Sequence, residues 1–266
     1  MLGIHQAMPG NLSQIPIDAK CIGAETFQVF LRNNRNMKRR NYTMDDINAF
    51  NYNLLSCDLS SYVIHASYAM NPCTDDVEAR ERYVKVIRED LTMLQYMAGT
   101  PYYVLHPGSS KELSFYEAVK NLCTVLKSIV DVIGKTHIAI EFMAGAGTQI
   151  ISTIEQAVYC MTLVADIPNV CLCFDTCHVF AAGCDLFEAF NALEYYTGVY
   201  HINNSLTAFG SHSDRHANIT SGRIPEDVML KLIKIIGESN PELPMILETP
   251  GNLLLEDFNL VKSVIK

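Results

Sequence analysis

The sequence lacks any apolar run approaching the roughly 18 residues that a membrane-spanning helix requires, so no membrane partner is expected. The N-terminal stretch MLGIHQAMPGN contains no basic segment leading into an apolar one, so no secretory signal is predicted and the protein is expected to be intracellular rather than secreted. Glycine and proline are scarce, at 14 and 10 of 266 residues, whereas 49% of the chain is hydrophobic. This composition excludes a disordered, collagenous or coiled-coil protein.

Positive charge is also scarce, because 20 Lys and Arg face 29 Asp and Glu, a formal net charge of −9. An acidic chain repels phosphate groups, so net charge alone predicts a protein that avoids nucleic acid. The nine cysteines are odd in number and follow no export signal, which indicates a reducing compartment. Cys171, Cys173 and Cys177 lie close together, but they lack the paired C-x2-C spacing of a zinc ribbon and are interpreted as residues of a buried strand.

Short apolar runs alternate with amphipathic helical patterns along the whole chain. The eight runs are 2–5, 26–31, 61–65, 101–106, 136–141, 169–175, 198–202 and 243–248. Helices are predicted between them at 47–55, 75–98, 119–133, 157–164 and from Pro225 to 237, with a last helix at the C-terminus. Thr43 with Asp46, Ser114 with Glu117 and Ser152 with Glu155 have the spacing of capping boxes.

Eight strand–helix units with continuously apolar strands predict a parallel sheet buried on both faces, closed into a (β/α)8 TIM barrel. An open doubly wound sheet is the alternative. However, no G-x-G-x-x-G follows the first run, so the dinucleotide fingerprint is missing and no nucleotide cofactor is expected. No linker rich in Pro, Gly or Ser divides the chain, which predicts a single domain over residues 1–266.

The ends of the predicted strands carry metal-capable side chains. Five successive runs finish on or near such a residue, and a sixth ends on Glu248. These residues are His65, His106, Glu141, Asp175 with His178, His201 and Glu248. In a barrel the C-terminal strand ends converge on one mouth, where active sites of this fold lie. A lone His or Glu at a strand end is commonly structural, but six such coincidences favour a shared site.

A long polar stretch, 205–223, adds Asp214 and His216, which are two residues apart and can chelate one ion if the segment is extended. Five imidazoles and four carboxylates favour zinc, with manganese or iron as alternatives. Nine ligands exceed the need of one ion and can hold three if one carboxylate bridges. Because multinuclear sites typically hydrolyse phosphoesters, the residues by themselves indicate a multinuclear metallohydrolase.

Three segments, FDTCHVFAAGCDL, HINNSLTAFGSHSDRHANI and LETP, resemble the signatures of the endonuclease IV family of apurinic/apyrimidinic (AP) endonucleases. His106–Gly108 and the strand ending in Glu141 fit the same family, and the resemblance spans nearly the whole chain. It implies a TIM barrel with three zinc ions, with manganese or iron possible at one site. The implied ligand sets are His65, His106 and Glu141; then Glu141, Asp175, His201 and Glu248; then His178, Asp214 and His216.

The resemblance also implies the reaction and the substrate. The expected substrate is duplex DNA with abasic sites or blocked 3′ ends, cut 5′ to the abasic site to leave a 3′-hydroxyl and a 5′-deoxyribose phosphate. Hydroxide generated by the ions would be the nucleophile, with Glu141 holding the bridged pair and Glu248 ordering the nucleophile side. The family further implies action as a monomer, with 3′-phosphodiesterase or 3′-phosphatase activity in addition.

Contacts to DNA are expected from two loops at the barrel mouth. The stretch FLRNNRNMKRR carries five cations, Arg32, Arg35, Lys38, Arg39 and Arg40, which are predicted to contact phosphates. Arg35 resembles the minor-groove arginine of the family, and Tyr68 resembles the aromatic residue that fills the gap in the base stack. An abasic nucleotide lacks stacking and flips out at low cost, which favours its selection.

The chain departs from the family pattern at Ala69, Phe142, Met143 and Asn204, where the family commonly has a bulky aliphatic residue or polar groups that orient ligands. These changes are expected to affect metal affinity and rate more than reaction type. Two alternatives stay open: a sugar-isomerase-like metal-dependent barrel, which has no need of the Asp214 and His216 pair, and a DNA-binding barrel with weakened catalysis.

Overall fold

The computed structural model describes residues 1–6 and 11–265. Eight parallel strands form a closed barrel, which confirms the predicted TIM barrel. The barrel strands are β1 (Leu2–His5), β2 (Thr26–Phe30), β3 (Ser61–His65), β4 (Thr100–Leu105), β5 (His137–Glu141), β6 (Val170–Asp175), β7 (Thr197–Ile202) and β10 (Met245–Leu247). A separate antiparallel pair consists of β8 (Asn204–Ser205) and β9 (His216–Ala217). The ends of each predicted run agree with those of its strand to within two residues, and β4 and β7 each begin one residue before the predicted run.

Helices cover the outside of the barrel. They are α1 (Ile15–Cys21), α2 (Met44–Ser56), α3 (Val77–Leu94), α4 (Phe115–Lys127), α5 (Val130–Ile133), α6 (Ile154–Leu163), α7 (Thr176–Ala181), α8 (Leu186–Leu193), α9 (Glu226–Ser239) and α10 (Leu254–Val264). Among the described helices, none combines the length and the apolar character needed to cross a bilayer.

Local capping explains where most of these helices begin. Capping boxes at Thr43 with Asp46 and Ser114 with Glu117 are confirmed. The predicted box at Ser152 and Glu155 is wrong by one residue, because the hydroxyl of Thr153 accepts the hydrogen bond from the backbone N–H of Gln156.

Three helix predictions also need correction. The helix predicted over 119–133 is two helices, because ψ is −5° at Ser128 and 0° at Ile129, away from the value of a regular α-helix. The helix predicted over 75–98 ends earlier, at Leu94. Pro225 precedes α9 as its N-cap rather than lying in its first turn, and the helix runs past Gly237 to Ser239.

Below the C-terminal mouth the barrel interior is filled by a cluster of buried side chains, the interior layer, to which β4 contributes two levels through Tyr102 and Val104. This layer consists of Val63, Tyr102, Val104, Ala139, Cys173, Val199 and Ile246, with Cys171 packed against it. Side chains alternate along a strand, so the residue two positions after an inward-facing residue also faces inward, one level nearer the mouth. Each of Val63, Val104, Ala139, Cys173, Val199 and Ile246 is followed at that spacing by a predicted metal ligand.

Candidate metal centre

Six of the nine predicted ligands lie at the mouth because of this alternation. They are His65, His106, Glu141, Asp175, His201 and Glu248, and each stands directly above a residue of the interior layer. The register of the barrel strengthens the convergence, since Asp175 pairs with His201 and Glu141 with Cys173 across neighbouring strands. Residues up to 183 positions apart in the chain, from His65 to Glu248, therefore meet in one cluster.

The remaining three ligands come from segments that follow β6 and β7. His178 lies in the first turns of α7, and the carboxylate of Asp175 accepts a hydrogen bond from its backbone N–H at 2.8 Å. Asp175 is thus both a strand-end ligand and the N-cap of the helix that carries the next ligand. Asp214 and His216 lie in the middle of the 205–223 stretch, where β9, which begins at His216, pairs with β8.

The nine side chains form three adjoining groups. In the first, an oxygen of Glu141 lies 3.2 Å from His65 Nε2 and 3.0 Å from His106 Nε2. In the third, the two oxygens of Asp214 lie 3.3 Å from His178 Nε2 and 3.2 Å from His216 Nε2. Both groups bring their donor atoms within 4.8 Å of one another, close enough to share one ion.

The second group is centred on His201 and shares Glu141 with the first. His201 Nδ1 lies 3.2 Å from Glu141, 3.3 Å from Glu248 and 3.7 Å from Asp175. Glu141 turns one oxygen to the first group and the other to the second, which is the arrangement of a bridging carboxylate. The structure therefore brings the nine predicted ligands together, in the grouping implied by the family resemblance.

Hydrogen bonds orient four of the five imidazoles so that one ring nitrogen faces the cluster. The Nδ1 atoms of His65 and His178 lie 2.8 Å from the carbonyl oxygens of Ala66 and Phe142, and His216 Nδ1 lies 3.3 Å from that of Glu248. A carbonyl can only accept, so Nδ1 carries the proton and Nε2 faces the cluster. His201 is reversed, because its Nε2 lies 2.8 Å from the amide oxygen of Gln28. Such partners set the tautomer of metal-binding histidines.

The carboxylates of the cluster favour positive charge beside them, as the pKa values of the ligands show. Burial disfavours the imidazolium forms, but Glu248 and Glu141 raise the pKa of His201 to about 9, and Asp214 and Asp175 raise that of His216 to about 9. Burial opposes the ionisation of Asp214, but His178 and His216 hold its pKa far below the usual value. The raised pKa values of His201 and His216 show that the carboxylates favour positive charge at the imidazoles beside them.

Two buried nitrogen atoms test whether the residues fit metal ions. His178 Nε2 and His216 Nε2 are shielded from solvent and make no hydrogen bond within the described part of the chain. An unsatisfied buried polar atom costs free energy, and both atoms point at the carboxylate of Asp214. Imidazole nitrogens and carboxylate oxygens are the donors that zinc prefers, so the residues present fit such ions.

Cys171 and Cys173 lie on β6, as predicted, whereas the prediction is wrong for Cys177, which lies in the first turn of α7. Cys173 and Cys177 are fully buried, and burial together with nearby carboxylates raises their thiol pKa values. Cys173 belongs to the interior layer of the barrel, yet its sulfur lies within 4.8 Å of donor atoms of Glu141 and His201.

Two amide side chains at the cluster were missed from the sequence. Gln28 on β2 and Asn203 after β7 are fully buried and contact the ligands directly. Asn203 lies two residues after His201, so strand alternation would have placed it on the same inward face. Gln28 has no such signal, because its strand ends without a predicted ligand.

The basic stretch divides into inward and outward residues. Arg32 is 5% exposed, and its guanidinium donates to both oxygens of Asp90 and to Glu89, at 2.8–2.9 Å. The prediction that Arg32 contacts DNA is therefore wrong: its charge is used inside the protein. Arg39 is half-buried with its guanidinium beside Met93 of α3, whereas Arg35, Lys38 and Arg40 are exposed.

Tyr68 stands at the edge of the cluster and is 47% exposed. Its ring centroid lies 5.0 Å from those of His65 and His106 and 5.2 Å from that of Phe30. The Ser67 hydroxyl donates to the carbonyl of Asn34 at 2.9 Å, which joins the Tyr68 loop to the basic stretch. The two predicted DNA-contacting loops are thus adjacent.

Three of the departures from the family pattern, Phe142, Met143 and Asn204, are buried side chains. Phe142 and Met143 are buried, and Phe142 orients His178 through its backbone carbonyl, which any residue supplies. The amide of Asn204 contacts Ile219 and Ile224 and so ties together the two ends of the 205–223 stretch. The expectation that these departures affect metal affinity and rate stays a prediction.

Comparison with known proteins gives one consistent relationship. Residues 17–263 match the family of xylose isomerase-like TIM barrels. A probable endonuclease 4 from Finegoldia magna is 33% identical, with 95% of this chain and 92% of the relative covered. The crystal structure of endonuclease IV from Thermus thermophilus superposes with a TM-score of 0.85 at 25% identity, covering 99% and 98% of the two chains. A D-tagatose 3-epimerase-like protein has a TM-score of 0.78 at 17% identity, covering 99% and 96%, which is similarity of fold alone.

Proposed function

The chain belongs to the endonuclease IV family, and on that premise we propose that it is a zinc-dependent AP endonuclease acting on duplex DNA. The proposed reaction is hydrolysis of the phosphodiester 5′ to an abasic site, which leaves a 3′-hydroxyl and a 5′-deoxyribose phosphate. Removal of blocking groups from 3′ ends is proposed as a related activity. The protein is proposed to act as a single-domain monomer without a nucleotide cofactor.

One observation carries this proposal: nine donors converge in three groups, two of them joined through Glu141. The first ion would be held by His65, His106 and Glu141. The second would be held by Glu141, Asp175, His201 and Glu248, and the third by His178, Asp214 and His216. When bound, the ions would supply Lewis-acid chemistry, namely activation of water and neutralisation of charge on the phosphate.

The charge of the cluster explains how an acidic mouth could admit DNA. Four carboxylates by themselves would repel a phosphodiester. Three divalent ions carry six positive charges against these four negative ones, so the loaded mouth would attract an anion. Glu141 would hold the first and second ions beside each other, because it faces both groups. Glu248 presents an oxygen to the second group and is oriented by an amide side chain on either side.

Selection of an abasic site would fall to the two adjoining loops. Arg35, Lys38 and Arg40 are exposed on the basic stretch and would contact phosphates. Tyr68 presents a half-exposed ring directly beside His65 and His106. A nucleotide without its base leaves a gap that such a ring can fill, and it costs less to extrude than an intact one.

The proposal is tested with a duplex that contains one tetrahydrofuran abasic analogue. We expect zinc-loaded protein to cut 5′ to the analogue and leave a 3′ end that a polymerase extends. A Glu248→Gln variant should lose at least about 100-fold in rate, because Glu248 faces His201 in the second group. Glu242→Gln is the matched control, since Glu242 is exposed near the opposite end of β10.

Two outcomes would contradict the proposal. One is fewer than two zinc ions per chain together with an uncut abasic duplex. The other is epimerisation of ketohexoses without incision, which would favour the sugar-isomerase-like alternative suggested by the shared fold.

A further inference from the structure

Two buried amides on opposite sides of Glu248 hold the second ligand group in place. Gln28 lies on β2 and Asn203 follows β7, so the amides come from strands on either side of β1 and β10 in the barrel. Both side chains are fully buried, and neither belongs to the nine predicted ligands. Their contacts converge on the ligands of one group.

Gln28 makes three contacts with a single amide. Its Nε2 lies 2.5 Å from Glu248 Oε1 and 2.8 Å from His5 Nδ1, while its Oε1 lies 2.8 Å from His201 Nε2. The amide nitrogen has two hydrogens to donate and the amide oxygen only accepts. All three bonds form together only if His5 Nδ1 is unprotonated and His201 Nε2 carries a proton. Gln28 therefore directs His201 Nδ1 to the cluster.

Asn203 provides the complementary contacts. Its Nδ2 donates to Asp175 Oδ2 at 2.8 Å and lies 3.4 Å from Glu248 Oε2. Its Oδ1 accepts a hydrogen bond from the backbone N–H of Glu248 at 3.0 Å. Each oxygen of Glu248 thus faces a different amide, and the rotation of this carboxylate is restrained on both sides.

We propose that Gln28 and Asn203 are positioning residues for the second ion, holding Asp175, His201 and Glu248 in a ligating arrangement without contacting the metal. This inference rests on the proposed function, because it concerns a site that the proposed zinc ions would occupy. Both residues are neutral amides, so they orient carboxylates without adding charge to a cluster that already holds four carboxylates. Among the ligands, the hydrogen bonds of Gln28 and Asn203 go to His201, Glu248 and Asp175, which all belong to the second group.

The direct test measures zinc retention by Gln28→Leu and Asn203→Leu variants. Each variant is dialysed against a chelator of known affinity, and its metal content is determined by elemental analysis. We expect three ions per chain in the original protein and two in each variant, because outer partners of metal ligands typically contribute about 10- to 100-fold in affinity. Gln14→Leu is the matched control, since Gln14 is exposed and bonded to Asp18 on the outer surface.

Kinetics and stability separate positioning from a purely structural role. The DNA-contacting loops are unchanged in these variants, so kcat on the abasic duplex should fall about tenfold or more while KM stays within about twofold. A purely structural role would lower the melting temperature of the zinc-loaded and metal-free forms alike and leave the zinc affinity of the folded protein unchanged. Three ions held with unchanged affinity in either folded variant would overturn the inference.

Two further arms keep the test decisive. If the leucine variants do not fold, Gln28→Glu replaces them, because it keeps the size and the acceptor for His201 but removes the donor to Glu248. Loss of one ion supports the inference, and retention of three overturns it. Original protein that binds no zinc would overturn both this inference and the proposed function, whereas zinc-binding protein that leaves abasic DNA uncut would contradict only the latter.

Discussion

Arg32 and Arg35 are three residues apart in the same basic stretch, but the structure predicts opposite consequences for their loss. Arg32 is buried and donates through Nε to both oxygens of Asp90, at 2.8 and 2.9 Å. It also donates to Glu89 and to the carbonyl of Met37. Replacing Arg32 by Leu leaves the carboxylate of Asp90, which is 2% exposed, with the hydroxyl of Tyr103 as a hydrogen-bond partner and Arg39 as a nearby cation.

The expected cost of Arg32→Leu is about 3–5 kcal/mol of unfolding free energy, the range observed when one partner of a buried ion pair is removed. For a chain of this length such a loss lowers the melting temperature by roughly 6–20 °C. Arg35→Leu should change the unfolding free energy by about 0.5 kcal/mol or less, because Arg35 is exposed. Denaturant titration and calorimetry of the two variants measure both values.

The loss in Arg32→Leu should depend on pH with a defined sign. Burial raises the pKa of Asp90 to about 6 even with Arg32 present. Without the guanidinium the pKa rises further above 6, so at pH 5 the carboxyl group of the variant is protonated and carries no uncompensated charge. The difference between original and variant should therefore be larger at pH 8 than at pH 5.

The double variant Arg32→Leu with Asp90→Asn completes the test. Because both charges are then absent, it should recover most of the lost stability. For DNA binding we expect the larger effect at Arg35 instead. Arg35→Leu should weaken binding and reduce the slope of log K against log salt concentration by about one. Arg32→Leu should leave that slope unchanged once the protein is folded. An Arg32→Leu protein as stable as the original, with reduced DNA affinity, would refute the assignment.

Replacing Glu141 by Gln should remove about two ions per chain in chelator-challenge metal analysis, whereas His216→Ala should remove one, because Glu141 faces two groups. In metal-free protein the pKa values of His201 and His216 are raised from 6.5 to about 9, so the stability they contribute is fully present below pH 6.5 and is lost as the pH rises through 9. Melting temperatures of chelator-treated protein should fall across that window, and a rise would contradict the assignment. Tyr68→Ala should lower kcat/KM on the abasic duplex about tenfold and Tyr68→Phe less than about twofold, since stacking needs the ring and not the hydroxyl. Equal losses in the two Tyr68 variants would assign the effect to the hydroxyl instead.

Several features could be predicted because their cause is local in the chain. Apolar runs of strand length, separated by amphipathic helices with caps such as Ser114 and Glu117, predicted a closed parallel barrel. The ligands could be found because an inward-facing residue such as Ala139 or Val199 is followed two positions later by Glu141 or His201. The candidate site could thus be predicted from strand periodicity and from the convergence of strand ends at one mouth of the barrel.

Other features depend on which neighbour a side chain meets, and that is decided only in the folded protein. A run of five cations does not reveal that Arg32 is directed to Asp90 on a helix 58 residues away. Neither does the pair Asn203 and Asn204 reveal that the first orients Asp175 and Glu248 while the second ties the ends of a long loop.

The sequence by itself therefore determined the barrel, the nine candidate ligands and their place at one mouth, since these follow from short-range pattern and chain order. The tertiary structure decided which oxygen of Glu141 faces which group, which nitrogen of each oriented imidazole is presented, and that Gln28 reaches both His201 and Glu248. The physical reason is that a hydrogen bond between side chains far apart in the chain forms only when the two atoms are placed to within a few tenths of an ångström. Only close packing in the folded protein establishes such positions.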